Sequence, residues 1–199
     1  MPSYEYENKY YAEGFTCIAG TDEAGRGPLA GPVCAAAVIL PIGLEIEGLN
    51  DSKKISEKKR DMLFDIICEK AVSYGIAYAS VEEIDELNIL NASQLAMRRA
   101  VDMLTPHPDL VIVDGNIARG FNCKAVTLIK GDAISMSVAA ASILAKVSRD
   151  RVCMELDKQY PEYMLAKHKG YSTKLHMDLV RKYGPSPIHR KTFLKFLNK

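Results

Sequence analysis

The sequence predicts an α/β fold, and three patterns carry that prediction. Short apolar runs rich in small and β-branched residues alternate with longer stretches of helical periodicity, the order that builds a sheet with helices packed on it. Acidic residues stand at the ends of the apolar runs, where open α/β sheets collect their ligand sites. Thirteen uncharged, mostly small residues, 133–145, open a long helix, and such a run implies burial on most sides.

The first element is organised around Ile18 to Gly31, IAGTDEAGRGPLAG. A strand read over Thr16 to Thr21 leads to the adjacent carboxylates Asp22 and Glu23, and Gly20, Gly25 and Gly27 allow close backbone approach. The stretch nearly matches the phosphate cradle GxxxxGK followed by Ser or Thr. Arg26 replaces the lysine, however, and Gly27 and Pro28 replace the hydroxyl and the opening helix turn. Carboxylates inside a cradle repel a bare phosphate, but they suit divalent cations placed between acid and phosphate. An acidic surface turn has the same local look, so the rest of the chain must decide.

Val33 to Leu40 reads as a buried strand, and 49–54 as a polar loop. Ser56 is placed to cap a helix running to about Val72, with Met62, Leu63, Ile66, Ile67 and Ala71 as its core face. Ser73 to Val81 alternates as a strand does. Ser80 and Glu83 form a capping-box pair, and Asn91 with Gln94 opens or extends the next helix towards Leu104. Two short strands follow: Leu110 to Val113, ending in Asp114-Gly115, and Ala125 to Ile129, ending before Asp132. Taken alone, Asp114-Gly115 is also an ordinary turn and Asp132 a helix cap. Side by side, those strand ends bring Asp22, Glu23, Asp114 and Asp132 together. The long helix then runs from about Ala133 to Gln159. Beyond it, Ser172 or Thr173 caps a helix to Tyr183, and a last helix begins near His189 with Phe193, Leu194 and Leu197 inward.

Composition narrows the function classes. A chain of 199 residues with 48% hydrophobic residues buries a real core. Five scattered cysteines, none spaced CxxC, recommend neither a disulfide framework nor a zinc ribbon, and a reducing cytoplasm fits best. The tyrosine-rich Met1 to Tyr10 lacks the pattern of a secretion signal. Residues 27–44 are uncharged, but their glycines and prolines break any membrane span. The net charge of +1 hides an asymmetry: residues 146–199 carry 13 Lys and Arg against 5 Asp and Glu, leaving 13 against 20 before them. A basic end beside an acidic body suits a polyanion held by one part and metal-assisted chemistry in the other. His168, His176 and His189 lie in the basic region, where packing or phosphate contact suits them better than general-base work.

The stretches TDEAGRGPLAGPV, LNDSKKIS, VDGN, KGDAISMSVAAASILAKVSRD, HKGYSTKLH and GPSPIHRKTF, in that order, resemble type 2 ribonuclease H, the bacterial ribonuclease HII family, and span Ile18 to Phe193. The resemblance implies a ribonuclease H-like fold, a mixed central sheet flanked by helices. A catalytic core over 15–160 would carry a basic helical C-terminal subdomain, 161–199, packed on it. It also implies cleavage of RNA in RNA–DNA hybrids and 5′ of single ribonucleotides embedded in duplex DNA. Type 3 enzymes usually lack the arginine between the two glycines, so Arg26 favours type 2.

By the same resemblance, Asp22, Glu23, Asp114 and Asp132 are the catalytic, metal-holding acids for two divalent ions, Mn²⁺ or Mg²⁺. Gly25, Arg26 and Gly27 sense the ribose 2′-hydroxyl at an RNA–DNA junction, and Tyr171 stacks on the following deoxyribose. The loop carrying Asn50, Ser52 and Lys53 contacts the nucleic-acid backbone. The expected partners are hybrid and ribonucleotide-containing duplex, with no membrane, and the expected state is a monomer. The tyrosine-rich N-terminal segment gains no role from it.

Overall fold

In a computed structural model of the chain, residues 1–50, 52 and 55–198 are described. Five strands form one mixed sheet: β1 (Ile18–Ala24), β2 (Val33–Ile39), β3 (Ser73–Ala79), β4 (Leu110–Asp114) and β5 (Lys124–Leu128), in the order β3-β2-β1-β4-β5. β1 runs antiparallel to β2 and parallel to β4, and β4 is parallel to β5. Among the described residues, seven α-helices accompany them: α1 (Glu5–Ala12), α2 (Glu57–Lys70), α3 (Val81–Leu87), α4 (Ile89–Asp102), α5 (Met136–Gln159), α6 (Leu165–His168) and α7 (Lys174–Tyr183). No helix among the described residues is long and apolar enough to cross a membrane.

β2 shows how sequence makes the layers. Its residues VCAAAVI are buried throughout, and side chains alternate between the sheet faces. Ala35 and Ala37 join the core formed with Ala92, Ala96, Met97 and Ala100 of α4. Ala36 and Val38 join the other core, with Leu63 and Ile67 of α2 and Ala140, Ile143 and Leu144 of α5. Small side chains on β2 let both helical layers approach closely. At Gly20 in β1, an added Cβ would stand 2.3 Å from the Ser137 carbonyl carbon and the Val138 amide nitrogen. That clash would push α5 off the strand that carries Asp22. A further cluster joins Leu29 and Ala30 to Tyr163, Leu165, Val180, Ile188 and Leu194, so the segment after α5 packs on the loop after β1.

Caps read from the sequence hold at Ser56, Thr173 and the Ser80–Glu83 box. Several expectations are corrected. β1 runs through Asp22 and Glu23 to Ala24 rather than stopping at Thr21, because the antiparallel ladder to β2 continues through Asp22↔Ala36 and Glu23↔Ala35. The cap of α4 is Asn88, whose side chain accepts from the Leu90 and Asn91 amides. Asn91 already lies in the helix. Met62 faces solvent at 58% exposure, so the buried stripe of α2 is narrower than expected. The long helix starts at Met136 with Ser135 as its cap. The last element is two short 3-10 turns, 191–193 and 195–198, rather than an α-helix.

Candidate active site

Strand register builds the site. β1 and β4 are paired as far as Thr21↔Val113, so Asp22 and Asp114 are the next residues on two parallel, interior neighbours of the sheet. Asp22, Glu23, Gly25, Arg26, Gly27, Ser52, Asp114, Ser142, Lys146 and Tyr171 line one cleft of about 360 Å³. Pockets of that size take a small ligand or a fragment of a larger one.

The acids are held under electrostatic stress. Asp22 is 6% exposed, and burial raises its pKa well above the carboxylate range, with repulsion from Glu23 and Asp114 adding to it and a Ser142 hydrogen bond working against it. Burial raises Glu23 as well, and the Arg26 guanidinium, 3.2 Å from Glu23 Oε1, offsets part of that rise. Asp132 is buried in a 3-10 turn, Gly131–Ala133. It does not line the cleft with the other three acids, but the Gly131 amide donates to Asp114 Oδ1 at 2.6 Å and ties the end of β4 to that turn. Among the described residues, no three His, Cys, Asp or Glu side chains close round a common point as a ready metal cage. Hard carboxylate oxygens that repel one another nevertheless fit Mg²⁺ or Mn²⁺, whose charge relieves that repulsion.

The loop from Gly25 to Pro32 opens no helix, so the near-match to a phosphate loop lacks the helix N-terminus such loops use. Gly25 has φ +97°, and a Cβ there would stand 2.5 Å from Arg149 Nε. Tyr171 is 41% exposed, its ring 5.9 Å from Lys146 Nζ and 5.6 Å from Arg149 Cζ. Ser52 is buried with its hydroxyl 3.0 Å from that of Ser142. Asn50 is half-buried outside the cleft lining, and Lys53 lies outside the described residues.

Sequence reading missed Ser142 and Lys146. Four residues apart on α5 they share a face, and Lys146 is held by Asp150 at 2.8 Å. Helical spacing counted back from Lys146 was the available signal. The three histidines are packing residues: His168, His176 and His189 are all buried. The five cysteines, Cys17, Cys34, Cys68, Cys123 and Cys153, are free thiols.

The family model described as "Ribonuclease HII" matches residues 19–196. The chain is 54% identical over 190 residues to a ribonuclease HII of Acetivibrio thermocellus, covering 96% of this chain and 74% of that one. It is 59% identical over 177 residues to one of Marinomonas sp., covering 88% and 89%. Among solved structures, the ribonuclease H2 of Pyrococcus horikoshii aligns with a TM-score of 0.74 at 27% identity, covering 92% of this chain and all of that one.

Proposed function

The chain belongs to the ribonuclease HII family, metal-dependent endonucleases of RNA–DNA hybrids, and we propose that it also cuts 5′ of single ribonucleotides embedded in duplex DNA. One observation carries this reading: the acids Asp22, Glu23 and Asp114 share a cleft with Gly25-Arg26-Gly27 and Tyr171. The acids and the candidate ribose-reading element thus share one cleft.

Asp22, Glu23, Asp114 and Asp132 are the residues that would hold divalent ions. When bound there, two such ions would supply a lowered water pKa and positive charge for the departing 3′-oxygen, chemistry that would give 3′-hydroxyl and 5′-phosphate ends. The 2′-hydroxyl both donates and accepts. The peptides around Gly25 and Gly27 meet it where no side chain intervenes, and Arg26, 52% exposed at its side chain, takes a phosphate. Tyr171 offers its ring to the next sugar, with Lys146 beside it to meet the strand's charge. Asn50, Ser52 and Lys53 serve as a backbone-contacting loop. Residues 15–160 act as the catalytic core, and 161–199 hold the nucleic acid against it.

The test is end-labelled duplex DNA containing one ribonucleotide, incubated with Mg²⁺, Mn²⁺ or chelator beside an all-DNA duplex and a long hybrid. A metal-dependent cut immediately 5′ of the ribonucleotide, absent from all-DNA, is expected. Cleavage of the long hybrid alone would refute junction reading.

A further inference from the structure

We propose that Arg190 is the positioning residue for ribose selection: its buried guanidinium pins the carbonyls of the Gly25–Gly27 loop and so turns that loop's amides to the substrate. The inference rests on the junction-reading role of Gly25-Arg26-Gly27 proposed above.

Arg190 is 0% exposed. Its Nη2 donates to Gly25 O at 2.6 Å, its Nη1 to Arg26 O at 2.9 Å and its Nε to Gly31 O at 2.9 Å. One rigid fork therefore holds both ends of the loop across 165 positions of sequence. The planar guanidinium offers five N–H donors in fixed directions. A lysine carries one nitrogen and cannot span those three carbonyls.

The consequence follows from peptide geometry. In a trans peptide the C=O of one residue and the N–H of the next point opposite ways. Carbonyls 25 and 26 face Arg190, so the amides of Arg26 and Gly27 face away from it. Neither amide donates to a protein acceptor among the described residues. Two successive outward donors suit a ribose hydroxyl or a phosphate oxygen.

The surroundings make the clamp stiff. The Arg190 amide donates to Leu29 O and the Gly31 amide to Ile188 O, each at 2.8 Å, while the Leu29 amide reaches Gly170 O at 2.8 Å. Arg149 runs beneath the same loop, donating to Ala30 O at 3.2 Å. All three guanidinium bonds of Arg190 go to carbonyls rather than a carboxylate. Its charge is thus not neutralised by a bonded acid, and it adds positive potential under a loop that meets a polyanion.

The experiment compares wild type with Arg190→Lys, which keeps the charge but loses the fork. It measures kcat and KM on single-ribonucleotide duplex and on long hybrid, together with amide hydrogen exchange of the substrate-free protein. Arg190→Lys should lower kcat/KM on the single-ribonucleotide duplex by about 10²-fold, the cost of roughly 1 Å of misplacement. Long-hybrid cleavage should fall by much less, and exchange at Leu29 and Gly31 should quicken while β5 stays unchanged. Equal losses on both substrates, unchanged exchange in the loop, or a variant unfolded at assay temperature would each overturn the proposal and leave Arg190 a core residue. If wild type itself fails to cut the single-ribonucleotide duplex, the junction reading fails separately. The exchange result then still decides whether Arg190 orders the loop.

Discussion

The Gly131 amide donates to Asp114 Oδ1 at 2.6 Å, and this bond joins the end of β4 to the turn that carries Asp132. One Asp114 oxygen is therefore committed to backbone, which leaves the other for the cleft. Asp114→Asn keeps a carbonyl oxygen for Gly131 but removes the charge. Turnover should fall by at least about 10²-fold, the scale on which a lost electrostatic group reports in the transition state. Hybrid affinity, measured by fluorescence anisotropy in chelator, should hold or tighten because one repelling charge has gone. Retained turnover would take Asp114 out of the catalytic set.

Metal-free stability has a defined dependence on pH. Asp22 and Glu23 have folded pKa values above their unfolded ones, so their unfavourable contribution is absent below the unfolded values and grows as pH rises through the folded ones. Divalent ions that bind only the folded chain reverse this by mass action. Mn²⁺ should therefore raise the melting temperature at pH 8 and do little at pH 4.5. Asp22→Asn in chelator should melt about 2–4 °C higher than wild type, the shift that ~1 kcal/mol produces in a chain of this size. A lower melting temperature for that variant in chelator would show that Asp22 is not under stress.

Local rules were legible in the sequence where they act over a few residues. Ser56, Ser80 with Glu83, and Thr173 announced their helices because a cap is a short-range hydrogen bond. The strand run over Val33 to Leu40 and the acids at strand ends gave the α/β layers and most of the cleft. Asp22 and Glu23 were placed after β1 because two carboxylates do not look like strand, and only the ladder to Ala35 and Ala36 keeps them in it. Arg149 and Arg190 were less visible still. Cations in a basic segment read as solvent-facing, yet both are fully buried, and their partners, Ala30 and Gly25, lie more than a hundred residues away. Nothing within a helical turn of either arginine marks it as buried.

Glu7 gives the tyrosine-rich N-terminal segment a structural task. It is 1% exposed, and its Oε1 accepts from the hydroxyls of Ser135 and Ser137 at 2.7 and 2.8 Å and from the Ser137 amide at 3.0 Å. Ser3 adds a backbone bridge, its amide donating to Ile134 O at 2.9 Å. The segment thus closes the first turn of α5, just after Asp132 and two turns before Ser142. Glu7→Ala leaves three donors without their acceptor and should cost about 3 kcal/mol, the range for hydrogen bonds to a charged group. Glu7→Gln keeps an acceptor oxygen and should cost about half as much. Denaturant titration checks both, and a cost for Glu7→Ala below about 0.5 kcal/mol would mean that water replaces the carboxylate.

Acid should loosen the part of the chain that holds Tyr171, through three histidines whose proton positions follow from their partners. His176 Nδ1 faces Tyr171 O at 3.0 Å and must carry the proton, so its Nε2 accepts from His189 Nε2, 3.2 Å away. His189 Nδ1 is then free to accept from the Ser186 amide at 3.1 Å. His168, stacked on His176 at 4.3 Å, accepts at Nδ1 from the Gly170 amide and donates from Nε2 to Tyr163 O. All three rings are satisfied only when neutral. Burial accordingly pushes His176 and His189 down to about 4 and lowers His168 too. A folded pKa below the unfolded one means stability that is complete above about 6.5 and lost as pH falls towards 4. Asp22 and Glu23 act with the opposite sign at low pH, so the measurement is the difference between wild type and His189→Gln, in which the carboxylates cancel. Chelated wild type should lose more stability than His189→Gln between pH 7 and 4.5, read from urea midpoints. Parallel curves would mean that the cluster accepts protons without opening.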